Sequence, residues 1–492
     1  MANLQFQNAN AVRKVTLGKV QTAENIRISV KNDIAEVLSV GVDNFINSYD
    51  VTDGEVTFYG KTAIKFLYND GAGIAGANYS ADFTASLQND QLNGNAKCSF
   101  SVVTVDSKVD VNANTATITV LLEITVYAYL FDTVTYLSDI EDAYTRRESV
   151  EILQNANVIN LPVVVDEELT ATRTITTVLL AESALCVCDY TNVDNVLRIS
   201  GDATVRLTYL SEGEIVTDTL PFKFDRELDS SDIPAGAQLK ITPYVRQTKV
   251  RLNIAEDSVN TEFTVEIGAS LSTEYTETAV ISIVTDAYGA NCDFSLERQT
   301  LTTTLPCGGT VSQKSAQTTL PLEKEKKVLA AVNAGALVTK CTSLEKAAQV
   351  EGVVYATALY QTEAGIESAQ LELPFVQKID IDYLAPQCAC LATVTVTDFT
   401  LTENNGLQAT AELCFSIESS REVSFSVVVD GAEKPFDKAQ LPAIEVCLAK
   451  KGETLWELGK ALHMSEEDLL AVNPEITSPL ERDARIVVYN KI

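Results

Sequence analysis

Long stretches of this chain alternate between apolar and polar side chains with a period of two, the spacing that turns one face of a β-strand to a core and the other to water. From Ile118 to Phe131 the apolar set is Ile118, Val120, Leu122, Ile124, Val126 and Ala128, set against Thr117, Thr119, Leu121, Glu123, Thr125 and Tyr127. Glu123 and the threonines make this run too polar, and its length too short, for a membrane-spanning helix. The alternation returns at Phe263, Val265, Ile267, Ala269 and Leu271, and again at Leu407, Ala409, Ala411, Leu413 and Phe415. Before the third run, Asn404-Asn405-Gly406 supplies the positive φ of a tight hairpin turn. Helical periodicity is scarce, although the residues around Ser343–Ala348 admit one short helix.

The alternation belongs to a longer internal repeat. Gly60 and Tyr68, Gly201 and Tyr209, and Gly352 and Tyr360 each stand eight apart in a strand-like setting, and the glycines are separated by 141 and 151 residues. A Phe follows about twenty residues later, in the pairs Asp82-Phe83, Pro221-Phe222 and Pro374-Phe375. The first two copies also close alike, at Asp142-Ala143-Tyr144 and Asp286-Ala287-Tyr288. Each Gly shares a face with its Tyr but packs no side chain, which marks a bulge or a close backbone approach. Three such units predict a mainly β chain of three tandem all-β domains, sandwich-like or open-barrel-like, over residues 1–150, 151–303 and 304–440. Joined in line, they would form a long body.

Among the 492 residues, 37 are basic and 68 acidic, for a net charge of -31 that repels nucleic acid and anionic lipid surfaces alike. Residues 446–492 hold six basic and eight acidic side chains, so nearly all of the excess lies in the repeats, where it favours solubility and discourages strand-edge pairing. No Asp-rich calcium loop accompanies it. A single histidine, His463, excludes a multi-histidine zinc centre, and Ser-His-Asp or Cys-His catalysis away from its neighbourhood. Cys186-x-Cys188 and Cys388-x-Cys390 place paired thiols on one strand face. Lacking a CxxC knuckle or a His partner, they read as reduced, packed cysteines of a cytosolic protein, with no metal and no cofactor. The opening residues, Met1 to Asn10, lack the basic and apolar regions of a secretory signal, so the expected compartment is the one of synthesis.

The pattern changes after Ala443 to strand, helix, helix, strand. A strand at Glu445–Ala449 meets a Lys-Gly turn, and Thr454-x-x-Glu457 and Ser465-x-x-Asp468 each start a short helix. Leu455, Leu458 and Leu462 line the first helix; Leu469, Leu470 and Val472 serve the second, which stops at Asn473-Pro474. Residues 441–492 thus form a separate βααβ domain. They resemble the LysM module through Gly452-Glu-Thr-Leu-Trp456, Leu469-Leu-Ala-Val-Asn473-Pro and Ile486-Val-Val. Glu453 stands where that family has Asp, and Glu481-Arg482-Asp483 replaces its Pro-Gly turn. The resemblance implies a partner- or glycan-binding groove between Gly452, Glu453, Thr454, Leu455 and Trp456 on one side and Asn473, Pro474, Glu475 and Ile476 on the other. Trp456 reads as packing or a partner-facing aromatic rather than a sugar platform, and His463 as a helix C-terminal cation or spectator.

Three β repeats followed by a LysM module resemble the SipL-like spore-coat morphogenetic proteins of spore-forming Firmicutes, which carry tandem SPOCS domains. The resemblance implies a scaffold without catalytic residues, made in the mother-cell cytoplasm and located at the forespore surface in the spore coat. It also implies that the LysM module binds a SpoIVA-type coat ATPase, with other coat proteins as further partners. The alternative is an envelope protein binding peptidoglycan or another N-acetylglucosamine polymer. A wall hydrolase would need a carboxylate pair in a cleft, and the repeats leave no segment for a separate catalytic domain.

Overall fold

The computed structural model describes residues 3–253, 261–320, 327–363, 365–403, 406–436 and 442–489. The alternating runs become the last strands of three units of six strands each. Unit one contains β1 (Leu4–Ser29), β2 (Glu36–Thr52), β3 (Glu55–Asn69), β4 (Ile74–Gln88), β5 (Lys97–Asn112) and β6 (Thr115–Ile140). Unit two contains β7 (Ala143–Thr170), β8 (Thr177–Val193), β9 (Val196–Ser211), β10 (Glu214–Asp229), β11 (Gln238–Leu252) and β12 (Glu262–Gly289). Unit three contains β13 (Cys292–Leu320), β14 (Lys327–Leu344), β15 (Ala347–Thr362), β16 (Gly365–Asp380), β17 (Ala389–Glu403) and β18 (Leu407–Pro435). In every unit the first, last and fifth strands pair antiparallel on one side and the middle three form the other sheet, giving a sandwich; a β12–β13 pairing at Tyr288 and Asp293 joins the first set of units two and three into one six-stranded sheet. The Asn404-Asn405 part of the expected turn lies outside the described residues; β17 and β18 pair on either side of it, from Glu403 and Leu407 onward.

Burial follows the period-two pattern. Ile118, Val120, Leu122, Ile124, Val126 and Ala128 are buried with Phe58 and Phe66, and the matching runs of β12 and β18 line the cores of their own units. Each large side chain withdrawn from water contributes about 1.5–3 kcal/mol. The repeated glycines have a common cause: Gly60, Gly201 and Gly352 pair with Phe83, Phe224 and Phe375 on the next strand. A Cβ on Gly60 would stand 2.2 Å from the Phe83 ring, and one on Gly352 2.5 Å from that of Phe375. In unit two the ring is therefore that of Phe224, whereas Phe222 pairs with Ala203. The Ser343–Ala348 stretch forms a hairpin rather than a helix, with Leu344 opposite Ala347 and Lys346 at φ 56°, because β14 and β15 pair on both sides of it.

The units do not lie in line. Leu137, Val284 and Val428 each follow by 21 residues the first buried residue of their strand (Ala116, Phe263 and Leu407), and these three equivalent side chains meet in one shared core. Their neighbours Tyr136, Ile283 and Val427 meet in a second. On the middle sheets, bulges fall at Leu38, Leu179 and Leu329, which gather in a third. Like positions of three like units thus close around a common centre. Single alternating strands carry no sign of this, because the outward face of the far strand ends is apolar only where another unit covers it.

A buried ionic cluster also joins the units. Lys14 and Lys240 each contact Glu274 and Glu418, at 2.8–3.2 Å, and the Tyr129 hydroxyl donates to Glu274 at 2.9 Å. Burial opposes charge on Glu274, Lys14 and Lys240. The crossed ion pairs outweigh it, holding the Glu274 carboxyl far below the carboxylate range and both lysines above theirs.

The cysteines depart from the reduced expectation. Cys186 on β8 is disulfide-bonded to Cys414 on β18, and Cys341 to Cys390. Spacing along one strand does not indicate which thiol another unit brings opposite. Cys188 sits at a bulge of β8 and is exposed, while the Cys388 thiol lies 3.6 Å from that of Cys307. Among the described residues, no group of three or more His, Cys, Asp and Glu side chains could hold a metal ion, and no helix is long and apolar enough to cross a membrane.

Candidate functional site: the C-terminal module and its seat

The terminal module contains β19 (Ile444–Ala449), α1 (Leu455–Leu462), α2 (Glu466–Val472) and β20 (Ala484–Tyr489). Thr454 caps α1 in a capping box: its hydroxyl accepts the Glu457 N–H, and the Glu457 carboxylate accepts the Thr454 N–H at 2.8 Å. Ser465 caps α2. Gly452, at φ 93°, makes the turn between β19 and α1 in a conformation that glycine adopts at no steric cost. Leu455, Leu458, Leu469, Ile476, Leu480, Ile486 and Val488 form the module's own core.

The first predicted wall is held against the segment that follows the second. The Leu455 N–H donates to the Ser478 hydroxyl at 3.0 Å, and Gly452 and Glu453 exchange backbone hydrogen bonds with Leu480 at 2.9 Å. The residues then separate by role. Leu455 and Ile476 are buried in the core. Asn473 is also buried: its amide donates to the Leu469 and Val487 carbonyls and its oxygen accepts the Val487 N–H, so it ties the exit of α2 to the closing strand. The Glu453 carboxylate accepts the Lys450 N–H at 2.8 Å. Gly452, Pro474 and Glu475 are exposed, and Glu453 and Thr454 half-buried, so these five of the predicted site residues are open to solvent.

Trp456 faces elsewhere, on a second stripe of α1 with Gly459, Lys460 and His463. This stripe seats the module on the β12–β13 hairpin. The Trp456 indole N–H donates to Asp286 at 2.9 Å and the ring packs edge-on against Tyr288, with centroids 4.9 Å apart. Lys460 reaches the other Asp286 oxygen at 2.6 Å. The Tyr288 hydroxyl donates to the Met464 carbonyl at 2.9 Å and lies against Gly459, where a Cβ would come within 2.3 Å of it. His463 caps α1 in the left-handed conformation, is only 5% exposed, stacks on Phe436, and lies 3.0 Å from the Gly289 carbonyl through Nδ1. Burial opposes the Asp286 charge, but the hydrogen bonds from Lys460 and Trp456 and the lysine charge hold its carboxyl below the usual range. Asp286 and Tyr288 belong to the Asp-Ala-Tyr close of the second repeat. The spacing of Trp456, Lys460 and His463 by four and three was the signal for this seat, visible beside the leucine stripe.

A further face was not anticipated. Ile444, Val446 and Leu448 alternate outward from β19, and Leu448 is 77% exposed. Val487 and Tyr489 stand opposite Val446 and Ile444 on the same face. The outward side of the two-stranded sheet is therefore mostly apolar, with the exposed Arg485 opposite Leu448 at its edge.

Residues 449–480 match the family model of the LysM domain. No curated protein and no solved structure matches the chain. The chain thus carries a LysM domain seated on a mainly β body.

Proposed function

We propose that the chain is a non-enzymatic binding scaffold whose LysM domain recognises a protein partner. Its proposed setting is spore-coat assembly, with the chain made in the mother-cell cytoplasm, the forespore surface as its location, and a SpoIVA-type coat ATPase as the partner. The observation that carries the reading is the outward apolar face of Ile444, Val446, Leu448 and Tyr489, since contiguous exposed apolar surface of this kind marks protein contacts. The seat on Asp286 and Tyr288 supports it by fixing the direction in which that face points. The test is retention of a SpoIVA-type protein on the immobilised full chain. Val446→Asp with Leu448→Asp is expected to abolish retention while circular dichroism stays unchanged; undiminished retention refutes the reading.

A second reading rests on the LysM match and the solvent-open Gly452, Glu453, Thr454, Pro474 and Glu475: binding of peptidoglycan or another N-acetylglucosamine polymer. It requires co-sedimentation with purified cell wall that soluble N-acetylglucosamine oligomers compete away. Retention insensitive to the oligomers counts against it.

A further inference from the structure

A cavity of about 270 Å³ lies where the three units meet, walled by β2, β8 and β14 together with β5, β11 and β17. At roughly 30 Å³ per water molecule it has room for a small organic solute. Two buried charged side chains of unit two line it. Glu182 is 8% exposed and its Oε2 has no hydrogen-bond partner from the protein; Arg206 is 6% exposed and its Nε has none either. They stand directly opposite each other on β8 and β9, so their side chains project from one face. They form no ion pair with each other. Arg206 instead reaches Asp398 of unit three through Nη2 at 3.4 Å. Lys65 of unit one, also on the wall, is bonded to Asp43 at 2.7 Å.

The cavity wall therefore carries one carboxylate and one guanidinium from facing strand positions, each with a buried polar atom that has no protein partner and is costly to leave so. A bare cation at Glu182 would be repelled by Arg206 and Lys65, and a bare anion at Arg206 by Glu182, Asp43 and Asp398. A ligand bearing both charges meets neither penalty. Phe45, Val102, Val245 and Leu337 supply an apolar remainder of the wall.

We infer that this cavity binds a small zwitterion of amino-acid size, its ammonium on Glu182 and its carboxylate on Arg206. The test is isothermal titration calorimetry of the full chain with L-valine, and with its two halves, isobutylamine and isobutyrate. L-valine is expected to give a saturable heat, with each half binding at least about tenfold more weakly, the factor that accompanies loss of one charged contact. Glu182→Gln and Arg206→Gln are each expected to weaken L-valine by at least about tenfold, and Asp286→Asn at the LysM seat to leave it unchanged. No heat from L-valine at millimolar concentration overturns the inference, leaving the cavity to solvent. So does isobutylamine binding as tightly as L-valine, or unchanged binding in both cavity variants. If the cavity variants fail to fold, the comparison of the three ligands on the unsubstituted chain decides alone.

Discussion

Two junctions hold this molecule together, and they are built differently. Where the three units meet, equivalent apolar residues interlock and Lys14, Lys240, Glu274 and Glu418 are buried with them. Where the LysM domain meets the body, one helical stripe rests on one hairpin, and its ion pair, Lys460 with Asp286, leaves the lysine 41% exposed. A buried cluster cannot lose a member without stranding a charge, whereas a half-exposed pair hands its charges back to water. The first junction is expected to make the three units unfold as one body, and the second to let the head detach on its own.

The largest expected effect is from Glu274→Gln, which leaves two buried lysines sharing Glu418. A loss of about 3–5 kcal/mol is expected in urea unfolding of the whole body. Unfolding of unit two alone would show that the units are independent. The same group sets a pH dependence. Its folded pKa is depressed, so its contribution is fully present above the ordinary glutamate value of about 4.3 and is lost as pH falls through the folded value. The lysine values are raised, so their contributions are present below about 10.4 and lost only as pH rises through the folded values. The stability difference between the unsubstituted chain and Glu274→Gln should therefore shrink below about pH 4. A difference constant down to acid unfolding would remove Glu274 from the account.

Next comes Leu137→Ala, which empties part of the core shared by all three units and should cost about 2–5 kcal/mol. Differential scanning calorimetry is expected to show a single lowered transition; a split transition would break the comparison. At the LysM seat, Trp456→Ala removes the contact with Tyr288 and a hydrogen bond to Asp286. It should cost about 1–2 kcal/mol of docking, seen as faster hydrogen exchange at Tyr288 and across α1 with the body's melting temperature unchanged. Lys460→Ala should cost under about 1 kcal/mol by the same measurement. If it matched Glu274→Gln, the distinction between the two junctions would fail.

The strands, the repeat and the LysM domain were legible in the sequence because period-two burial, helix caps and a Gly-Tyr spacing are local signals. What escaped depends on register. Phe222 and Phe224 are equally good aromatics in sequence, and only strand pairing decides that Phe224 covers Gly201. Asn473 reads as a helix stop, but its amide is committed to Val487, which returns fourteen residues later. Trp456 was open between packing and a partner, and Tyr288 decides it.

The sequence by itself determined three β repeats, a βααβ head and an acidic chain with one histidine, since each follows from neighbours along the chain. Only the tertiary structure decided that the repeats close around a common centre, that Cys186 meets Cys414, that Glu182 and Arg206 face a shared cavity, and that His463 is a docking residue. Each of these brings together groups from distant parts of the chain. Burial and charge pairing between such groups are set by which surfaces meet, and no single strand or helix carries that information.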